Sequence, residues 1–180
     1  MNGRTGGRSA IAAGVVLGMG FGAFIDGILL HMILQWHNMV SSWIPPTSTA
    51  AMRINMRWDG IFETLALFLT VAGVALLWGA AQQRAALPPT MAFVGLMILG
   101  AGVFNLIEGP IDHHLLGIHH VREVANPLPW DVGFLLFGGV LPVAIGWFLM
   151  RAGRRAPPVR PANRTSRPRD RRCWLQPAGN

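Results

Sequence analysis

Residues 10–36 read AIAAGVVLGMGFGAFIDGILLHMILQW, an apolar run broken only by Asp26 and His31. Crossing about 30 Å of hydrocarbon takes roughly 20 helical residues, so this run is long enough to span a bilayer. It is too long for the apolar part of a cleaved signal peptide, and no small-x-small cleavage site follows it, so it is expected to persist as a helix. Three further runs of spanning length follow at about 60–81, 89–109 and 131–150. The second and third are joined by Gln82, Gln83 and Arg84, which predicts a tight helical hairpin. Strands are a poor alternative, because the runs lack alternation and a lipid-exposed sheet needs closure. The fold class expected is all-α: an integral membrane four-helix bundle, with an extra His-rich helical segment between helices three and four.

Composition supports this and removes other classes. Of 180 residues, 52% are apolar and 13% charged, with a mean hydropathy of +0.41. A soluble domain carries roughly 25% charged residues. So apolar a chain is not disordered, and one Cys excludes a disulfide framework. The net charge of +7 invites a nucleic-acid reading until it is located. Residues 151–180 hold nine Arg and one acid, or +8; residues 1–150 hold six Arg and seven acids, or −1. The basicity therefore belongs to the tail, which is expected to be a disordered Arg/Pro-rich cytoplasmic segment touching anionic lipid. Nucleic acid is not an expected partner. The organisation expected is a cytoplasmic N-terminus over 1–9, a four-helix membrane domain over 10–150 and the tail over 151–180.

The Arg-rich tail, with Arg4, Arg8 and Arg84, puts both termini in the cytoplasm. Trp36, Trp43, Trp58 and Trp130 then fall at the outer ends of spans, and Trp78 and Trp147 at the inner ends. Helices one and three both end in a polar, His-bearing stretch, but no internal repeat is read from the sequence.

On this topology all six His, and every acid except Asp170, lie in the outer half or the outer loops. Helix one brings Asp26, His31, Gln35 and His37, with Asp26 and His37 about three helical turns apart and His31 and Gln35 at i, i+4. Helix two brings Asp59 and Glu63, and helix three Asn105 and Glu108. Pro110 is expected to start a new helical segment, in which Asp112 aligns with His119 and His113 with His120, while His114 lies between. Asp131 opens helix four. An ionisable group inside a bilayer costs roughly 2.5–3.5 kcal/mol, and gathered carboxylates repel unless protons, Arg or a metal compensate. A divalent cation held by imidazole nitrogens and carboxylate oxygens meets both demands. Copper, zinc and iron suit such donors.

The expected ligands are His31, His37, Glu108, Asp112, His113, His114, His119 and His120. Asp26, Gln35, Asp59, Glu63, Asn105 and Asp131 are expected to surround and orient them. Other readings stay open: a membrane oxidoreductase with a di-metal centre or haem b, a proton or solute transporter, or a purely structural polar network. Histidine-box hydroxylases need about eight His. Transport needs a path inward, yet the inner halves of the helices are almost free of polar groups. Cys173 has no His nearby, and no Gly-rich phosphate loop is present.

Residues 22–37 (GAFIDGILLHMILQWH), 59–62 (DGIF), 105–109 (NLIEG) and 112–120 (DHHLLGIHH) resemble a bacterial family of predicted four-helix membrane proteins known as a domain of unknown function. The likeness covers about residues 12–150. It implies an inner-membrane location and an occurrence beside cytochrome oxidase assembly proteins that handle copper, which makes such proteins expected partners alongside the lipid bilayer. Some members carry His where this chain has Glu63.

Overall fold

The computed structural model describes residues 2–155, and every regular element among them is helical. Helix α1 (Asn2–Asp26) runs on into a π-helical stretch, Gly27–Ile33. Helix α2 (Thr49–Gln82) starts at Ser48, whose hydroxyl accepts the N–H of Ala51 and so satisfies one orphan donor of the first turn. Helix α3 (Thr90–Gly109) continues into a second π-helical stretch, Pro110–Leu115. The last helix is continuous: α4 (Leu128–Phe134), a π-helical turn (Leu135–Val140) and α5 (Leu141–Arg155). Four helices are thereby long and apolar enough to cross a membrane: Gly7–Ile33, Thr49–Gln82, Thr90–Leu115 and Leu128–Arg155. Leu67, Phe68, Val71 and Trp78 of α2, and Phe137, Leu141, Ile145 and Phe148 of the last helix, are exposed. Lipid tails can cover such side chains where water would not. Residues 156–180, and with them nearly all of the expected tail, lie outside the described residues.

Helices α1 and α3 form the central pair, with α2 flanking α1 and α5 flanking α3. Their close approach follows from small residues. Gly18 lies against the Met97 carbonyl, and Gly100 against the Val15 carbonyl. These contacts reciprocate, since Gly18 and Gly100, like Val15 and Met97, are 82 residues apart. The flanking helices repeat the relation. Gly73 packs on Leu17 as Gly146 packs on Leu99. Here the offset is 73, whereas it is 72 between Asp59 and Asp131. The π-helical turn Leu135–Val140 lies between these positions and accommodates the extra residue.

The chain is therefore two helical hairpins related by an approximate two-fold, which corrects the reading that it holds no internal repeat; α2 packs on α1 and not on α3, so the tight hairpin expected of spans two and three is not formed. Most paired positions exchange one apolar side chain for another, such as Phe21 for Val103, because lipid-facing and core positions require only apolarity. The inserted residue then breaks the register of the second helix of each pair.

Helix two starts at Thr49 instead of about residue 60, α1 starts at Asn2 instead of about residue 10, and the last helix runs on to Arg155 instead of about residue 150, while two ends fall short of the expected ones. Helix one stops at Ile33 instead of about residue 36, and the segment after Pro110 stops at Leu115. Gln35 and Gly117, again 82 apart, take left-handed backbone with φ of 50° and 57° and turn the chain off each helix. The closing bonds match also: Trp36 N–H reaches Leu30 O, and Ile118 N–H reaches Asp112 O. The expected helical rows of Asp112 with His119 and His113 with His120 are not formed, because His119 and His120 lie beyond the turn at Gly117. Gln35, expected on the His31 face, leaves the helix and is exposed.

Candidate metal centre

The two π-helical ends meet over the bundle and bring four imidazoles into one cluster. The His37 and His119 rings stack with centroids 4.5 Å apart and planes 2° from parallel. His31 lies edge-on to His37 at 4.3 Å, and His113 edge-on to His119 at 4.9 Å. All four rings are buried, His119 completely. Phe62 stacks on His31 at 5.4 Å, and Phe134 lies 5.8 Å from His113.

The hydrogen bonds that orient these rings follow the two-fold. His37 Nδ1 donates to the Val121 carbonyl at 2.8 Å, while His119 Nδ1 donates to the Met39 carbonyl at 3.0 Å. Met39 and Val121 are themselves 82 residues apart. His31 Nδ1 is hydrogen-bonded to Asp59 Oδ1 at 2.9 Å, whereas His113 Nδ1 faces Asp131 Oδ1 at 3.4 Å without a hydrogen bond. The same Oδ1 atoms accept the N–H of Met39 at 2.7 Å and of Val121 at 2.9 Å. The other oxygen of Asp59 accepts the Asn38 amide at 2.8 Å, and that of Asp131 meets His120 Nδ1 at 2.7 Å.

A carbonyl oxygen can only accept, so His37 and His119 carry their proton on Nδ1 when neutral. Their Nε2 lone pairs are then free for another partner. In the structure Nε2 of His31, His37 and His119 is buried with no hydrogen-bond partner, as are Asp26 Oδ2 and both oxygens of Glu108. Asp26 Oδ2 lies 3.5 Å from His31 Nε2. Glu108 Oε1 lies 3.4 Å from His119 Nε2 and 3.7 Å from His113 Nε2. Two groups of potential ligand atoms, each within 4.8 Å of one another, result: His31, His37 and His119; and Glu108, His113 and His119. Nitrogen and oxygen donors at this spacing can close on a cation by a small rotation of side chains.

Five of the eight expected ligands, His31, His37, Glu108, His113 and His119, thus fall in one cluster, and Asp26, Asp59 and Asp131 lie against it. Asp112 is buried but belongs to neither group. His120 is half-buried and clamps Asp131, while His114 is exposed. Glu63 is half-buried with Oε1 lacking a partner, and Asn105 donates to the Gly138 carbonyl at 2.8 Å. Asn38, Ser41 and Glu123 are participants that spacing alone missed. The Ser41 hydroxyl donates to Glu123 Oε1 at 2.9 Å and ties the two loops across the two-fold. The repeat itself is the signal that finds them, since Asn38 and His120, and Ser41 and Glu123, are paired by the same offset. Arg122 lies over Trp36 and Trp130, 5.3 and 4.7 Å from the ring centroids, and closes the rim.

Burial, followed by the neighbouring charges of His119 and His31, holds the His37 imidazole well below its ordinary value of 6.5. Burial likewise lowers His119. Unfolded imidazoles titrate near 6.5, so below that pH the unfolded chain binds protons that the metal-free folded chain refuses. Stability is then lost as pH falls, by about 1.4 kcal/mol per pH unit for each group until its folded value is reached. Above 6.5 both states are neutral and the dependence disappears. In metal-free protein in detergent, the ring resonances of His37 and His119 are expected to titrate at lower pH than a free imidazole. Rings that titrate at or above the free value contradict the neutral assignment.

A family model described as "Predicted membrane protein (DUF2243)" matches residues 13–153. No curated protein and no solved structure matches the chain.

Proposed function

Because the chain belongs to the DUF2243 family of predicted membrane proteins, the cluster lies at one end of a membrane bundle, and we propose that it binds a transition metal. The observation that carries this reading is the division of each imidazole. In His31, His37 and His119, Nδ1 is fixed outward on a carbonyl or carboxylate and Nε2 is buried without a partner beside equally partnerless carboxylate oxygens. Orphaned buried polar atoms are costly. Metal-bound His commonly shows this outward Nδ1 bond, which fixes the tautomer and raises ligand basicity. Nitrogen and oxygen donors suit zinc, copper or iron. Ring centroids only 4.3 and 4.5 Å apart leave little room for a porphyrin, so bare ions fit this packing better than haem b.

The reading extends to location and role. Arg84, Arg151, Arg154 and Arg155 lie at the opposite ends of the helices, which supports cytoplasmic termini in a bacterial inner membrane and a centre facing the periplasm. There the protein would acquire or deliver a metal. Copper for a respiratory oxidase, with oxidase assembly proteins as partners, rests on the family resemblance. An oxidoreductase would use the same groups.

Elemental mass spectrometry of the purified full chain, beside His31→Ala and His113→Ala variants, tests the site. Bound metal is expected in the native protein and less of it in both variants. Metal-free native protein, or unchanged content in both variants, defeats the assignment.

A further inference from the structure

We infer that the centre is built for two metal ions, one for each repeat, with Asp26, His31 and His37 serving the first and Glu108, His113 and His119 the second. This rests on the metal reading above and adds the number of ions and their division. The two-fold is not a property of the cluster alone. It governs helix contacts far from the cluster, such as Gly73 on Leu17 and Gly146 on Leu99. Each repeat therefore delivers two His and one carboxylate, a recurrent metal-binding combination; in the second half Glu108, His113 and His119 form one donor group, while in the first the group is His31, His37 and His119, with Asp26 Oδ2 3.5 Å from His31 Nε2.

Each set also has its own orienting apparatus. Asp59 faces His31 in the first, and Asp131 faces His113 in the second. The backbone carbonyls that hold His37 and His119 are exchanged between repeats, so neither stacked ring is placed by its own half alone. The two groups of donor atoms adjoin at His119, which belongs to both. They do not merge, because His31 is in one group and Glu108 with His113 in the other. A single ion on the two-fold would leave the outlying members of each set without it.

Charge points the same way. Asp26, Asp59, Glu108, Asp112 and Asp131 are all buried, and no Arg among the described residues is. Two cations offset the mutual repulsion of these carboxylates more fully than one. Access is duplicated as well. One cleft of about 300 Å³ reaches Asp26 beside Ile25 and Phe134, and another of about 330 Å³ reaches Glu108 beside Ile107 and Phe62. These linings correspond by the offsets of the repeat.

The full chain, purified in detergent, loaded with zinc and dialysed, is expected to retain two zinc ions per chain. Asp26→Asn with His31→Gln is expected to keep one, Glu108→Gln with His113→Gln to keep one, and the four changes together none. Loaded with copper(II), the native chain is expected to give an electron paramagnetic resonance spectrum altered by a neighbouring copper, and either half-variant the spectrum of an isolated ion. One zinc per native chain, lost in both half-variants, would overturn the two-ion assignment in favour of one ion on the axis. No zinc, copper or iron retained at all would instead defeat the metal reading on which it rests. The native ratio decides between these even if a variant does not fold.

Discussion

At the metal site proposed above, Asp59→Ala is expected to lower affinity by about 10- to 100-fold and to destabilise the folded chain by about 3–5 kcal/mol. Few side chains here hold as many parts together. Oδ1 meets His31 Nδ1 at 2.9 Å and the Met39 N–H at 2.7 Å, while Oδ2 takes the Asn38 amide at 2.8 Å. One buried carboxylate on α2 thus fixes an imidazole of helix one and the loop that follows it. Alanine leaves three donors facing a space that water fills poorly. It also frees the His31 ring to rotate, so that Nε2 no longer points at the cluster. Asp131→Ala is expected to match it, because Asp131 takes the Val121 N–H at 2.9 Å and His120 Nδ1 at 2.7 Å from the equivalent place. Asn38→Ala removes a single hydrogen bond and should cost about 1 kcal/mol. Competition with a chelator of known affinity measures the first effect, and thermal melts of metal-free protein the second. Unchanged affinity in both Asp variants contradicts the claim that these carboxylates orient the ligands.

The four spans were legible because hydrocarbon thickness sets a length that any sufficiently apolar helix must meet. The gathering of Asp26, His31, Glu108 and His113 was legible for a related reason: polar groups are so rare in such helices that their placement at one end is conspicuous. What spacing could not resolve was which face each one takes. Counting at 3.6 residues per turn assumes an unbroken α-helix, and each helix that carries the cluster ends in π-helical turns that add a residue. After those turns the chain reverses at Gln35 and Gly117, so His37 and His119 are placed by Val121 and Met39 carbonyls and not by helical phase. His114 shows the same limit from the other side. It sits among ligands in sequence, yet the turn of the helix that buries His113 sends its neighbour outward. The repeat was written in the sequence as Gly18, Gly27, His31 and His37 against Gly100, Gly109, His113 and His119. Interchangeable apolar residues between them obscured it.

Gly18→Leu and Gly100→Leu are each expected to abolish the folded form and with it the proposed metal binding, with a stability loss at or above the roughly 1–3 kcal/mol typical of overpacking. A Cβ at Gly18 would collide with the carbonyl of Met97, and one at Gly100 with the carbonyl of Val15. Both obstacles are backbone, which cannot swing aside as a side-chain tip can, so α1 and α3 must separate. In a bilayer no hydrophobic gain draws the helices back, because association depends on close packing itself. The cluster depends on the same approach, since the His37 and His119 rings, stacked at 4.5 Å, lie in the segments that follow the two members of this pair. Gly60 and Gly79 of α2 provide the control, because nothing lies within 4 Å of a Cβ at either. Gly60→Leu and Gly79→Leu should therefore behave as the native protein does, in yield of monodisperse protein, melting midpoint and metal content. Equal damage from the Gly18 and Gly100 changes is what the two-fold requires. If Gly18→Leu melts with Gly79→Leu while Gly100→Leu fails, α1 does not approach α3 as described, and the equivalence of the two halves falls with it.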